Sequence, residues 1–206
     1  MSLGMSQKFS PPSKTVSATR IANPPKIDGV LDDDIWQTLP EYSDFYMLQP
    51  SNDGPAPDTH KTIFKIAYDN TAVYLAAYMY DSNPTEILRQ FSQRDNIGVQ
   101  ADVIGFGLNT YNDSINETRF YITSAGTIGD SRISQNNQDF SYDVVFDARA
   151  SFDNNGWYAE FKIPYNALRF PEVDIQDWSI NMFREIKHRN ETHSFNYINR
   201  EVGRET

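Results

Sequence analysis

Arg94 and Asp95 stand side by side in a polar stretch of the chain, and Tyr142 and Asp143 form a second neighbouring pair. Guanidinium and carboxylate groups are planar and bidentate, which suits them to adjacent hydroxyls on one ligand. Aromatic rings cover the apolar face of such a ligand. Tyr111, Phe140 and Tyr142 fall near predicted strand ends, where loops would present them. Arg94, Asp95, Tyr111, Tyr142 and Asp143 are therefore the candidate contacts. Two further charges stand out because of strand alternation. Asp102 shares a face with Ile104, Phe106 and Leu108, and Arg184 shares one with Ile180, Met182 and Ile186. An unpaired charge on an apolar face costs several kcal/mol, so both need partners. Arg184 is expected to pair with Asp102, Glu160 or Asp143. Asp102, Glu160 and Arg184 then either glue the fold together or floor a polar pocket behind the contacts.

Machinery for covalent chemistry is missing from the sequence. It has no Gly-x-Ser-x-Gly elbow, no phosphate-binding glycine loop and no nucleophile beside a base, so a non-enzyme is expected. The histidines His60, His188 and His193 show no metal-binding spacing, and no metal centre is expected from them. Calcium stays open through the oxygen-rich Asp32-Asp33-Asp34 and Asn109 to Asp113 segments, although neither has the ligand order of an EF-hand loop. The acidic triplet also fits helix capping. No cysteine is present, which excludes disulfides and thiolate chemistry. Asp and Glu number 28 against 18 Lys and Arg, a net charge of −10, so nucleic acid is excluded as a partner. No run is long and apolar enough for a membrane-spanning helix.

The elements that must hold these residues read as strands. Thr62 to Tyr68 and Ala72 to Tyr80 flank Asp69-Asn70 as a hairpin. Val73, Leu75, Ala77 and Met79 line one face of the second arm, and Tyr74, Ala76, Tyr78 and Tyr80 line the other. That strand should be central and covered on both sides. Strands follow at Asp102 to Asn109, Thr118 to Thr123, Ile128 to Ile133, Val144 to Phe152, Trp157 to Ile163, Ser179 to Lys187 and Thr192 to Ile198. Short strands at this spacing predict an all-β antiparallel sandwich. Helix is limited to a turn N-capped by Asp32 with a Leu31–Trp36 staple, a piece near Thr85 to Phe91, and Tyr165 to Leu168. Residues 1–15 read as a leader, with Met1 to Met5 appended, residues 16–198 as the domain, and residues 199–206 as the start of a linker to a further C-terminal region.

Two phrases carry a resemblance. The opening Ile27-Asp28-Gly29, Leu31-Asp32 and Trp36 is followed far downstream by Gly156-Trp157, Glu160, Ile163-Pro164 and Leu168-Arg169-Phe170. Between and beyond them lie Tyr68 to Leu75, Asp81 to Pro84, Arg94-Asp95, Asp102, Trp178, Asn181, Phe183-Arg184 and Arg189-Asn190-Glu191. In this order they resemble family 9 carbohydrate-binding modules and their DOMON-like relatives, including N-terminal modules of large Bacteroidetes outer-membrane-associated proteins. The resemblance implies a jelly-roll-like sandwich, a saccharide or glycan as partner, and a part in carbohydrate catabolism. It also implies a periplasmic, outer-membrane-associated or extracellular location in a bacterium, and a β-rich C-terminal domain of the same protein as neighbour. Sugar-binding members clamp the ligand between two tryptophans. Trp36, Trp157 and Trp178 all fall at scaffold positions, so the clamp passes to Tyr or Phe. A docking module without sugar affinity is the competing reading. A third is a heme b domain using Met182 with His188 or His193, or Met79 with a distant histidine.

Overall fold

A computed structural model describes residues 9–135 and 137–200. The expected appended residues Met1 to Met5 and the linker residues from 201 onward lie outside the described residues. In chain order the strands are β1 (Thr19–Arg20), β2 (Tyr46–Gln49), β3 (Thr62–Tyr68), β4 (Ala72–Tyr80), β5 (Val103–Asn109) and β6 (Asn116–Thr123). They continue as β7 (Ile128–Ser134), β8 (Asn137–Asp139), β9 (Asp147–Phe152), β10 (Gly156–Pro164), β11 (Ser179–Ile186) and β12 (Glu191–Ser194). A five-stranded sheet in the order β1-β3-β4-β10-β9 packs on a seven-stranded sheet in the order β2-β12-β11-β5-β6-β7-β8. All ladders are antiparallel except the two-residue β1, which runs parallel to β3. The fold is the expected all-β sandwich.

Alternation explains the core. Leu75, Ala77 and Met79 of β4 and Trp157, Ala159 and Phe161 of β10 face Phe106, Phe120 and Met182 of the other sheet. Phe106 and Phe161 meet edge to face across the interface at 5.1 Å. Met79 and Met182 are both fully buried among these apolar side chains.

The other face of β4 is covered only in part. Tyr74 and Ala76 pack under Ile21, Trp36 and Leu39 of the N-terminal segment. Beyond them Tyr78 stacks on Tyr158 at 4.3 Å, both hydroxyls donate to Asp153, and Tyr80 is 37% exposed.

Several boundaries differ from the sequence reading. Helix α1 spans Asp34–Thr38 with Asp33, not Asp32, at its N-cap. The Asp33 carboxylate accepts from the Lys26 N–H, while its carbonyl accepts from Trp36. Near Thr85 to Phe91 only a 3-10 turn forms, Pro84–Glu86, and the chain then extends so that Arg89 bridges Ala101. Val144 to Phe146 precede β9 rather than joining it. At the β3–β4 turn the Asp69 carboxylate accepts from the N–H groups of Thr71 and Ala72, a side-chain-closed turn. Residues 9–15, read as leader, lie against the domain. Phe9 packs edge to face on Tyr46 and Tyr197, and the Lys14 N–H donates to Asn196.

The seven-stranded sheet is the wider one. Since β9 lies over β6, β7 and β8 extend past the edge of the smaller sheet. The inner face of this overhang is covered by loops instead of strands.

Candidate functional site

Arg94 fills one end of the overhang. Its guanidinium donates to the Asp130 carboxylate on β7 and to the Val144 carbonyl at 2.8 Å. Asp143 lies 3.0 Å and Asp95 3.6 Å away. Asp130 also accepts from the Val144 N–H, and Asp95 accepts from the Asp130 N–H. Burial raises the Asp130 pKa, and Arg94 opposes that shift. Arg94, Asp95 and Asp143 are thus brought together as expected, but as a clasp. They tie the 92–96 loop and the segment before β9 to the sheet. The contacts with Asp130, Val144 and Asp143 fall on Nη2, while Nη1 carries no hydrogen bond or ion pair among the described residues.

Tyr111 and Tyr142 are brought together further along, in a cleft they line with Thr110, Asn116, Thr118, Arg132 and Arg169. Thr118 pairs with Arg132 across β6 and β7, so both face the inner side of the overhang. Asp130 and Arg132 are alternate residues of β7, about 7 Å apart, which makes the cleft and the Arg94 clasp neighbours. The β5–β6 turn that carries Tyr111 is held by its own side chains. Asn109 accepts from the Tyr111 N–H, and Asp113 accepts from the N–H groups of Ile115 and Asn116. These donors, with the Asn116 amide, hold the Asp113 pKa down at about 2. A similar turn at Asp139 to Ser141 leads into Tyr142. Tyr111 is 51% exposed. Arg132 and Arg169 are exposed, and their guanidinium groups have no ion pair or hydrogen bond among the described residues. Two phenol rings beside two free guanidinium groups, a hydroxyl and an amide can grip a hydroxyl-rich ligand. Arg132 escaped the sequence reading because nothing local marks it, and Arg169 was read only as part of the Leu168-Arg169-Phe170 phrase, not as a contact. Their signal is the cross-strand position of Arg132 and the connection after β10.

Asp102, Glu160 and Arg184 do not back these contacts, and Arg184 pairs with neither Glu160 nor Asp143. Glu160 points to the opposite face of its sheet. Its carboxylate accepts from the Asp28 N–H at 3.0 Å, the Gly29 N–H at 2.7 Å and the Trp36 indole at 2.7 Å. Gly29 has φ +88°, and a Cβ there would lie 2.9 Å from the Ala150 carbonyl carbon, so glycine is required. The two distant phrases are thereby one lock. Burial raises the Glu160 pKa, and these donors resist the shift.

Arg184 and Asp102 close the end of the sandwich away from Tyr111. Arg184 is fully buried and donates to the carbonyls of His60 and Tyr80, a peg between the sheets. Burial lowers its pKa to about 10. Asp102 accepts from the Lys187 N–H, and burial raises its pKa to about 6. Its charge reaches Arg184 only at longer range, because the guanidinium is committed to backbone carbonyls. His193, paired with Arg184 across β11 and β12, contacts Glu191 at 3.3 Å.

Residues 27–192 match the family described as carbohydrate family 9 binding domain-like. Comparison with curated proteins finds no match. Solved structures that share the fold include the following three. A candidate carbohydrate-binding protein from Bacteroides uniformis superposes with a TM-score of 0.70 at 12% identity, covering 91% of each chain. A family 9 carbohydrate-binding module from Caldicellulosiruptor kristjanssonii, in complex with glucose, gives 0.59 at 17% identity, covering 88% of this chain and 86% of that one. The same kind of module from that organism with cellotriose gives 0.58 at 15% identity, covering 89% and 85%.

Proposed function

Since the chain belongs to the carbohydrate family 9 binding domain-like family, whose members are non-catalytic modules, we propose that it binds a saccharide in the cleft between Tyr111 and Tyr142. The observation that carries this is the pair of guanidinium groups, Arg132 and Arg169, unengaged among the described residues and beside two accessible phenol rings in an otherwise acidic protein. The rings cover the apolar face of a sugar and the guanidinium groups donate to its oxygens. Trp36 and Trp157 are buried, and half-buried Trp178 packs on Phe170 outside the cleft lining, so the rings in the cleft are tyrosines. The glucose and cellotriose complexes of the two similar modules support the ligand class. The proposal extends to an exported protein of the bacterial envelope, periplasmic, outer-membrane-associated or extracellular. There this domain would dock a β-rich C-terminal partner during carbohydrate catabolism.

The test is isothermal calorimetry against glucose, cello-oligosaccharides and uronate-containing oligosaccharides. Tyr142→Ala or Arg132→Ala should weaken binding about tenfold or more, equal to ~1.4 kcal/mol. Arg94→Ala should instead lower the melting temperature, because it strands the buried Asp130. Saccharide binding untouched by both cleft substitutions, or no binding at millimolar sugar, would refute the proposal.

A further inference from the structure

The end of the sandwich opposite the cleft gathers two histidines and a carboxylate from three separate connections. His60 closes the 3-10 turn before β3, Asp81 follows β4, and His188 lies in the turn after β11. We propose that His60, Asp81 and His188 bind a divalent transition-metal ion of the zinc type.

The ligand atoms of the three residues lie within 4.8 Å of one another. His60 Nε2 and Asp81 Oδ1 are 3.5 Å apart. That is long for a hydrogen bond but close to the donor–donor edge of tetrahedral zinc, about 3.4 Å for bonds of ~2.1 Å. Two atoms here are buried without any hydrogen-bond partner, Asp81 Oδ2 and His188 Nδ1. An ion held by His188 Nδ1 and the Asp81 carboxylate would give both a partner. The Thr59 hydroxyl engages His60 Nδ1 at 3.0 Å, which leaves Nε2 toward Asp81, the outer-shell pattern of a ligating histidine. Glu86 Oε2 stands 3.6 Å from His188 Nε2, the outer-shell position for a ring that presents Nδ1 to the ion. The charges suit a dication. Asp81, Asp102, Glu86 and Glu191 outnumber Arg184 and Arg189 around the cluster.

The experiment uses the full chain stripped with a chelator and titrated calorimetrically with zinc chloride, with cobalt(II) absorption as a second readout. One ion should bind per chain, and cobalt should give the visible bands of a low-coordinate nitrogen and oxygen site. His60→Gln and His188→Gln should each weaken binding about tenfold or more and change the cobalt spectrum. The exposed Glu86→Gln should weaken it less. Circular dichroism melts of the stripped variants establish that each is folded, and zinc should raise the melting temperature of the parent but not of His188→Gln. No binding at millimolar zinc, or binding and cobalt bands that survive both histidine substitutions, would overturn the site.

Discussion

The lock at Glu160 makes a quantitative prediction about stability. The fully buried carboxylate accepts three hydrogen bonds, two from backbone N–H groups and one from the Trp36 indole. In Glu160→Gln one oxygen becomes an NH2 group. The least costly arrangement keeps the remaining oxygen on Asp28 and Gly29 and turns the new donor toward the indole donor. A hydrogen bond to a charged group contributes about 1.5–3 kcal/mol, and the relief of burying a charge offsets part of its loss. The net expectation is a loss of about 2–3 kcal/mol, or roughly 5–10 °C in melting temperature for a domain of this size. Trp36→Phe keeps an aromatic side chain but strands one carboxylate oxygen and leaves a small void, for a similar or larger cost. In the double variant the amide no longer meets an opposing donor. The combined loss should then fall short of the sum by about 1–2 kcal/mol. Urea unfolding followed by far-ultraviolet circular dichroism measures all four species. Additivity within about 0.5 kcal/mol would show that Glu160 and Trp36 are not coupled and would refute the lock.

Gly29→Ala should cost about 2 kcal/mol or more, from the left-handed backbone and the 2.9 Å approach to Ala150, and an unchanged thermal melt would contradict it. Burial, helped by Arg184, lowers the pKa of the His193 imidazole to about 4, so the folded protein favours its neutral form. Its contribution is then full above pH 6.5 and is lost as pH falls toward 4, about 3 kcal/mol at the limit. Asp102, raised to about 6, works the other way and gains on acidification. In chelator-treated protein, His193→Gln should therefore flatten or invert the loss of stability between pH 6.5 and 4. A variant with the parent's pH profile would remove His193 from the account.

Alternation of side chains along the chain located β3, β4 and β10 to within a residue, because each buries a long apolar face whose period survives any context. It missed β1, β2 and β8, which are two to four residues long and owe their pairing to neighbours. The two motif phrases were legible as text, but their meeting at Glu160 spans 131 residues and is a fact of packing. Arg94 looked available because its main partner, Asp130, is 36 residues away on another strand. The histidines showed no spacing because their convergence with Asp81 is made by turns from both sheets. Tyr111 and Tyr142 were found as rings near strand ends, while the free guanidinium groups between them needed the overhang to be seen.

The contact of Phe9 with Tyr197 brings the two ends of the described segment close to each other. The order in which the strands follow one another along the polypeptide is therefore mechanically arbitrary. A short peptide bridging those ends would turn the backbone into a ring, and a cut at an exposed turn would yield a circular permutant able to rebuild the same two sheets.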